Sequence, residues 1–297
     1  MRLALMNKFL LVELLQVSLC TRESLSRVPS AVEWLGIFEE GQRQAIAGVL
    51  ACGIERLPKE QQPPQALLLQ WIGVTLQIEQ QNALTTKVCG EVVGQMEKDG
   101  LWCCVLKGQA NHRYYPSQMS NRRSCGDIDI WVQDCPSGES AHVRKNSSKF
   151  ASSLAQSQTS RFKVQDSVRE VLEYVDAHWE RTGLCWLHCN FTDKSGVLVE
   201  VHFHPSFFCR PKYNKRFQKH FADMEKCVER ARIDGVEIPA MKVEEDVIYQ
   251  MNHIYRHLID EGVGMRQVVD YYWLLRSFCS KHKSSLIDQK IAVNRTI

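Results

Sequence analysis

Asp127 and Asp129 stand two apart in GDIDIWV, a run that alternates strictly from Gly126. Side chains at i and i+2 of a strand point the same way. Both carboxylates therefore share one face with Trp131, while Ile128, Ile130 and Val132 pack into the core. Two like charges held that close repel, so neutralising either one is expected to stabilise the metal-free protein slightly. A cation between them relieves the repulsion, and hard oxygen ligands suit Mg2+ or Mn2+. Taken alone, such a pair also fits a solvated strand end.

A second run, LVEVHFH, places Leu198, Glu200, His202 and His204 on one face and Val199, Val201 and Phe203 on the other. An acid in the middle of an apolar strand needs a partner or water, and a hairpin with a wet polar side supplies the water. If this hairpin instead lies beside GDIDIWV, Glu200 falls next to the aspartates, and three carboxylates can hold two divalent ions. In VLKGQANHRYYP, Lys107, Gly108 and Gln109 leave a strand and begin a short helix. A Gly there lets backbone approach a phosphate, and helix N-terminal amides with a Lys favour anions. Arg123, four residues before Asp127, offers a fork-shaped phosphate contact.

Other constellations are weaker. His202 and His204 form an HxH that with Asp127 would serve a metal-dependent hydrolase, although no further zinc ligands follow at suitable spacing. Cys185, His188 and Cys189 in CWLHC are the nearest approach to a metal cluster among twelve scattered cysteines. Neither CxxC pairs nor the Cys density of a stapled secreted domain is present. His253 and His257 sit one helical turn apart without the Glu of HExxH. Arg266 and Asp270 have the spacing of a helix-surface ion pair. Tyr271, Tyr272 and Trp273 read as packing residues.

These residues need elements to position them. The 297 residues, 44% hydrophobic, suffice for one large domain or two ordinary ones and exclude wholesale disorder. No stretch approaches the roughly 18 uncharged apolar residues of a membrane span. A net charge of +3 is too mild to argue for nucleic acid. MNKFLLVELLQVSLC, from Met6, lacks a cleavage site and is interrupted by Glu13, so it reads as an amphipathic helix rather than a secretory signal. The expected location is cytoplasmic. Ser30, with Glu33 as capping-box partner, starts one helix through AVEWLGIFEEGQRQAIAGVLACGI. A second follows the Pro58–Pro64 linker, with a break expected near Asn82 and a stop at Gly100. Strand-like LWCCVLKG, GDIDIWV, CWLHCNF and GVLVEVHFH come next, the last two joined as a hairpin by Asp193 to Gly196. Lys145 to Ser160 reads as a loop, QDSVREVLEYVDAHWERTG as a helix, and everything from Pro205 on as helical. Helices, then a small mixed sheet, then helices make an α+β chain.

The runs LKGQANHRYYP, RSCGDIDIWV, VEVHFHPSF and HIYRHLIDEGVGMRQVVDYYWLL together resemble the uncharacterised nucleotidyltransferase family. That family belongs to the polymerase-beta-like nucleotidyltransferase superfamily and is common in Bacteroides-type bacteria. The resemblance is dense over residues 101–134 and 197–208 and resumes over 253–275. It implies a minimal nucleotidyltransferase core at residues 100–208, between helical regions at 1–99 and 209–297, the latter ending sooner than the family pattern. On that pattern Asp127 and Asp129 are the paired metal ligands and Glu200 is the third acid. Lys107 and Gly108 stand where the superfamily has a Gly-Ser or Gly-Gly turn that grips a triphosphate, and here the turn is Gly108-Gln109. The implied activity is Mg2+- or Mn2+-dependent transfer of a nucleoside monophosphate from an NTP such as ATP to an acceptor hydroxyl. Pyrophosphate is released, and the acceptor is a small molecule, RNA or protein. The altered turn keeps a rival in view, a nucleotide-binding regulatory module with little turnover.

Overall fold

A computed structural model describes residues 2–134, 166–260 and 262–294. The loop expected at Lys145 to Ser160 lies outside the described residues. The chain packs as two compact units, each drawn from non-consecutive stretches. One comprises residues 1–84, 111–125 and 257–297, the other residues 85–110 and 126–256. The sequence alone suggested three consecutive regions with borders at 99 and 208.

The first unit is helical. It holds α1 (Arg2–Ser18), α2 (Ala31–Arg43), α3 (Ala47–Ile54), residues 65–84 of α4 (Gln65–Lys98), the short α5 (Ser117–Ser120) and α10 (Met265–Asn294). The Ser30–Glu33 capping box starts α2 as expected. The single helix expected from Ala31 to Ile54 is two, because the chain turns at Ala45 with φ of 53°. The turn lays α3 into the core with all eight of its residues buried, whereas α2 keeps Val32 and Leu35 exposed. Trp71 anchors this core edge-on to Trp34 and donates its indole N–H to the Ala47 carbonyl at 2.8 Å. Gly48 carries no side chain because a Cβ there would stand 2.2 Å from the Arg122 carbonyl oxygen. The break expected near Asn82 is absent. Asn82 is wholly buried, and its side-chain NH2 donates to the carbonyls of Asn121 and Arg123 at 2.6 and 2.7 Å without interrupting α4.

The second unit contains a seven-stranded mixed sheet of order β3-β4-β5-β2-β1-β7-β6. The strands are β1 (Leu101–Val105), β2 (Ile128–Asp134), β3 (Arg181–Leu184), β4 (His188–Thr192), β5 (Leu198–His202), β6 (Val228–Ile233) and β7 (Val236–Met241). Pairing is antiparallel except for β2 with β5 and β1 with β7. The sheet with α6 (Asp166–His178), α7 (Pro211–His220), α8 (Met224–Cys227) and α9 (Val243–Asp260), which continues past the unit's last residue, makes the α+β class that the element order suggested. The β4–β5 hairpin forms as expected. Two strand assignments differ. The stretch after Pro205 is not wholly helical, because β6 and β7 form a hairpin. Its turn, Asp234-Gly235, has both φ values positive at 47° and 85°, the geometry favoured in two-residue hairpins. The helix expected to run through Arg181 ends at His178, and Arg181 opens β3 on the sheet edge.

Trp131 packs with Cys104, Leu106, Phe217, Phe221, Met241 and Tyr249, while Ile128, Ile130 and Val132 are buried on the opposite face of β2. Asp129 therefore sits in a strand with apolar packing on both faces. Among the described residues no helix is long and apolar enough to cross a membrane.

Candidate functional site

Parallel pairing of β2 with β5 puts Asp129 directly opposite Glu200 and Trp131 opposite His202. This is the juxtaposition expected if the two alternating runs are neighbours. The antiparallel β4 then sets His188 opposite His202 and Asn190 opposite Glu200. On the other side of β2, β1 delivers Lys107 one residue past Leu106, whose N–H bonds the Asp129 carbonyl at 2.9 Å.

Four side chains converge. Asp129 Oδ2 takes the Lys107 ammonium at 2.8 Å, and its Oδ1 lies 3.1 Å from His202 Nε2. His202 Nε2 is also 3.5 Å from Glu200 Oε2. Asp127, just ahead of β2, lies 3.9 Å from the same ammonium. Among the described residues one ligand-bearing group of this kind is present: Asp129, Glu200 and His202, with ligand atoms all within 4.8 Å of one another.

The two aspartates differ electrostatically. The negative charge of Asp129, followed by burial, raises the Asp127 pKa against the pull of Lys107. Burial works to raise Asp129 as well, but Lys107 and His202 outweigh it and hold its carboxyl below the usual range. Burial lowers Lys107 and His202, and in both the carboxylates prevail and raise the pKa. Lys107 accordingly keeps its charge.

Gly108 follows with φ of 60°, a left-handed conformation that favours glycine. It opens a short 3-10 helix, residues 108–114. Gln109 is buried, and its side-chain amide donates to Thr86 Oγ1 at 2.8 Å.

Arg123 belongs to the first unit, and there its fork is already engaged. Nε and Nη2 donate to the two oxygens of Asp270 at 2.7 and 2.8 Å, and Tyr115 donates its hydroxyl to Asp270 Oδ1 at 2.6 Å. All three residues are buried. The surface pair expected between Arg266 and Asp270 is thus a buried pair between Arg123 and Asp270, with Arg266 donating to the Ser124 carbonyl. His204 lies beyond the end of β5, half-buried, with its pKa lowered by burial. The CWLHC residues do not converge, since Cys189 is buried on the face opposite His188. His188 instead approaches Glu200, Nδ1 to Oε2 being 3.8 Å, and stacks on the His202 ring. The local pattern singled out His188 only as a partner of Cys185 and Cys189, because its place beside Glu200 depends on a cross-strand pairing.

In this mixed sheet two acids and an imidazole converge beside a lysine-glycine turn, a group of side chains that could hold a metal ion. Residues 30–293 match the family model described as uncharacterised nucleotidyltransferase, and the chain belongs to that family. The resemblance carried by the sequence motifs is thereby borne out. Among solved structures, an antigenic nucleotidyltransferase-like protein from Paracoccidioides brasiliensis is similar at a TM-score of 0.37 and 11% identity, covering 65% of this chain and 75% of that one. No curated protein matches the chain significantly.

Proposed function

We propose that the chain is a divalent-cation-dependent nucleotidyltransferase that moves a nucleoside monophosphate from an NTP to an acceptor hydroxyl and releases pyrophosphate. The observation that carries this reading is the Asp129–Glu200 register pair, flanked by Asp127 and by Lys107. The residues fit a cation. Asp129 and Glu200 supply hard oxygens within ligand distance of each other, and the raised pKa of Asp127 is the mark of acids crowded without enough positive charge. Asp127, Asp129 and Glu200 would hold Mg2+ or Mn2+. Such an ion supplies neutralisation of the charge that develops on the phosphoryl oxygens.

The chain's own groups do the remainder. Lys107 stays protonated and presents positive charge to the triphosphate. Gly108 and the backbone of Gln109 form the turn that lets phosphate oxygens approach. The acceptor oxygen forms its bond to the α-phosphorus as the bond to pyrophosphate breaks. Its proton passes to one of the three acids. The acceptor is a small molecule, RNA or protein. A cytoplasmic setting agrees with the free thiols of the described cysteines.

The test is to incubate the protein with labelled NTPs, Mg2+ or Mn2+ and cell extract, then identify the labelled product. A product that appears with the wild type and not with Asp129→Asn supports the reading. No product with any NTP counts against it. A second reading has one observation in its favour: the Gln109 side chain is committed to Thr86 rather than to a phosphate. It makes the chain a nucleotide-binding module, and cation-dependent nucleotide binding without pyrophosphate release would select it.

A further inference from the structure

The two oxygens of Asp129 face different partners. Oδ2 meets Lys107 on the side of β1, whereas Oδ1 meets His202 on the side of β5. The imidazole is aimed between two acids, with Nε2 at 3.1 Å from Asp129 and 3.5 Å from Glu200. Its aim is fixed from several directions. His202 is 6% exposed, its backbone is paired on both sides, to Trp131 and to His188, and its ring lies against that of His188 at 5.0 Å and 25°. Nδ1 is buried without a hydrogen-bond partner, so Nε2 is the atom through which the ring acts.

An oxygen-only set suits Mg2+, which demands a near-ideal octahedron and parts reluctantly with water. A nitrogen ligand shifts preference toward first-row transition ions, for which imidazole is a good ligand and Mg2+ a poor competitor. We infer that His202 Nε2 is a direct ligand beside Asp129 Oδ1 and Glu200, and that the ion taken there is Mn2+, Co2+ or Zn2+ in preference to Mg2+. The inference rests on the reading that these acids hold a divalent cation. It goes further by assigning a nitrogen to the ligand set and a class to the ion, leaving Lys107 to the triphosphate.

The test needs no nucleotide and no turnover. The full chain is loaded with Mn2+ and the ion's nitrogen couplings are read by pulsed electron paramagnetic resonance. The expected result is a coupling from one imidazole nitrogen, altered when the wild-type protein carries 15N-labelled histidine. It is lost in His202→Gln and kept in His188→Ala. Titration calorimetry is expected to show Mn2+ affinity falling on the order of tenfold or more in His202→Gln while Mg2+ affinity changes far less. Because the isotope experiment uses the wild-type chain, misfolding of a variant does not blunt it. Failure to bind Mn2+, bound Mn2+ without a histidine coupling, or a coupling that survives in His202→Gln overturns the inference. A chain that holds Mn2+ through His202 yet transfers no nucleotide keeps this inference and sinks the proposed activity.

Discussion

Replacing Asp129 by Asn in the metal-free protein leaves Lys107 without its nearest partner and His202 beside an amide. Both lost contacts are close, at 2.8 and 3.1 Å, and Asp129 is almost fully buried. Breaking a buried ion pair by removing one partner costs about 3–5 kcal/mol. The low end applies, because Lys107 retains Asp127 at 3.9 Å. At roughly 2–4 °C per kcal/mol, a 3 kcal/mol loss lowers Tm by about 6–12 °C. Asp127→Asn goes the other way. Its charge is opposed by Asp129, its side chain is 30% exposed, and removing it stabilises the protein by no more than about 1 kcal/mol. The sequence-based expectation that neutralising either aspartate helps is therefore kept for Asp127 and reversed for Asp129. The linkage has matching signs. Asp129, with a lowered folded pKa, contributes stability that is present above the unfolded value of about 3.9 and is lost as pH falls through the folded one. Asp127, with a raised folded pKa, imposes a penalty that is absent below about 3.9 and complete above its folded value. The assay is thermal unfolding in excess EDTA at pH 7 and again through the acid range. Tm shifts of the same sign for both variants would refute the reasoning.

Asp270→Asn is expected to destabilise by about 3–5 kcal/mol, since it strands the buried Arg123 guanidinium, whereas Arg123→Met combined with Asp270→Leu and Tyr115→Phe, which also removes the hydroxyl bonded to Asp270, comes within about 1 kcal/mol of wild type or better. Urea midpoints read both, and a triple variant as unstable as the single would show that packing rather than charge dominates. Glu200→Gln is expected to cut nucleotide transfer at least about a hundredfold while nucleotide binding persists, because loss of several kcal/mol of charge stabilisation is at stake. A wild-type rate would take Glu200 out of the site. An NTP at a hundred times its Kd should add about 2.7 kcal/mol to stability with Mg2+ or Mn2+ present. A thermal shift of the same size in EDTA would argue against a cation bridge to the phosphates.

The acids were legible in the sequence because their signal is local. Alternation in GDIDIWV and LVEVHFH fixes which side chains share a face, and one assumption, that the two runs are neighbours, puts Glu200 beside Asp129. What remained hidden depends on partners far away in the chain. Nothing near Arg123 announces Asp270, and nothing in CWLHC points His188 toward Glu200. The β6–β7 hairpin was a different kind of omission. Its Asp234-Gly235 turn was there to read, but the apolar residues around it also fit a helix, and pairing of β7 with β1 decides for strand. Likewise the break at Ala45 follows from how deeply α3 is buried, which helix propensity does not register.

Because Asp129 and Glu200 meet as a register pair, the ladder between β2 and β5 acts as a ruler with one usable setting. A slip of one residue would bring Val199 or Val201 against Asp129 and turn Glu200 and His202 to the other face of the sheet. The chain is thus tolerant of length changes in one place and intolerant in another. Added residues at the Asp193–Gly196 turn leave that ruler untouched. A single residue inserted between Val199 and His202 shifts everything beyond it by one step, so small indels inside β5 should be far more damaging than larger ones a few positions upstream.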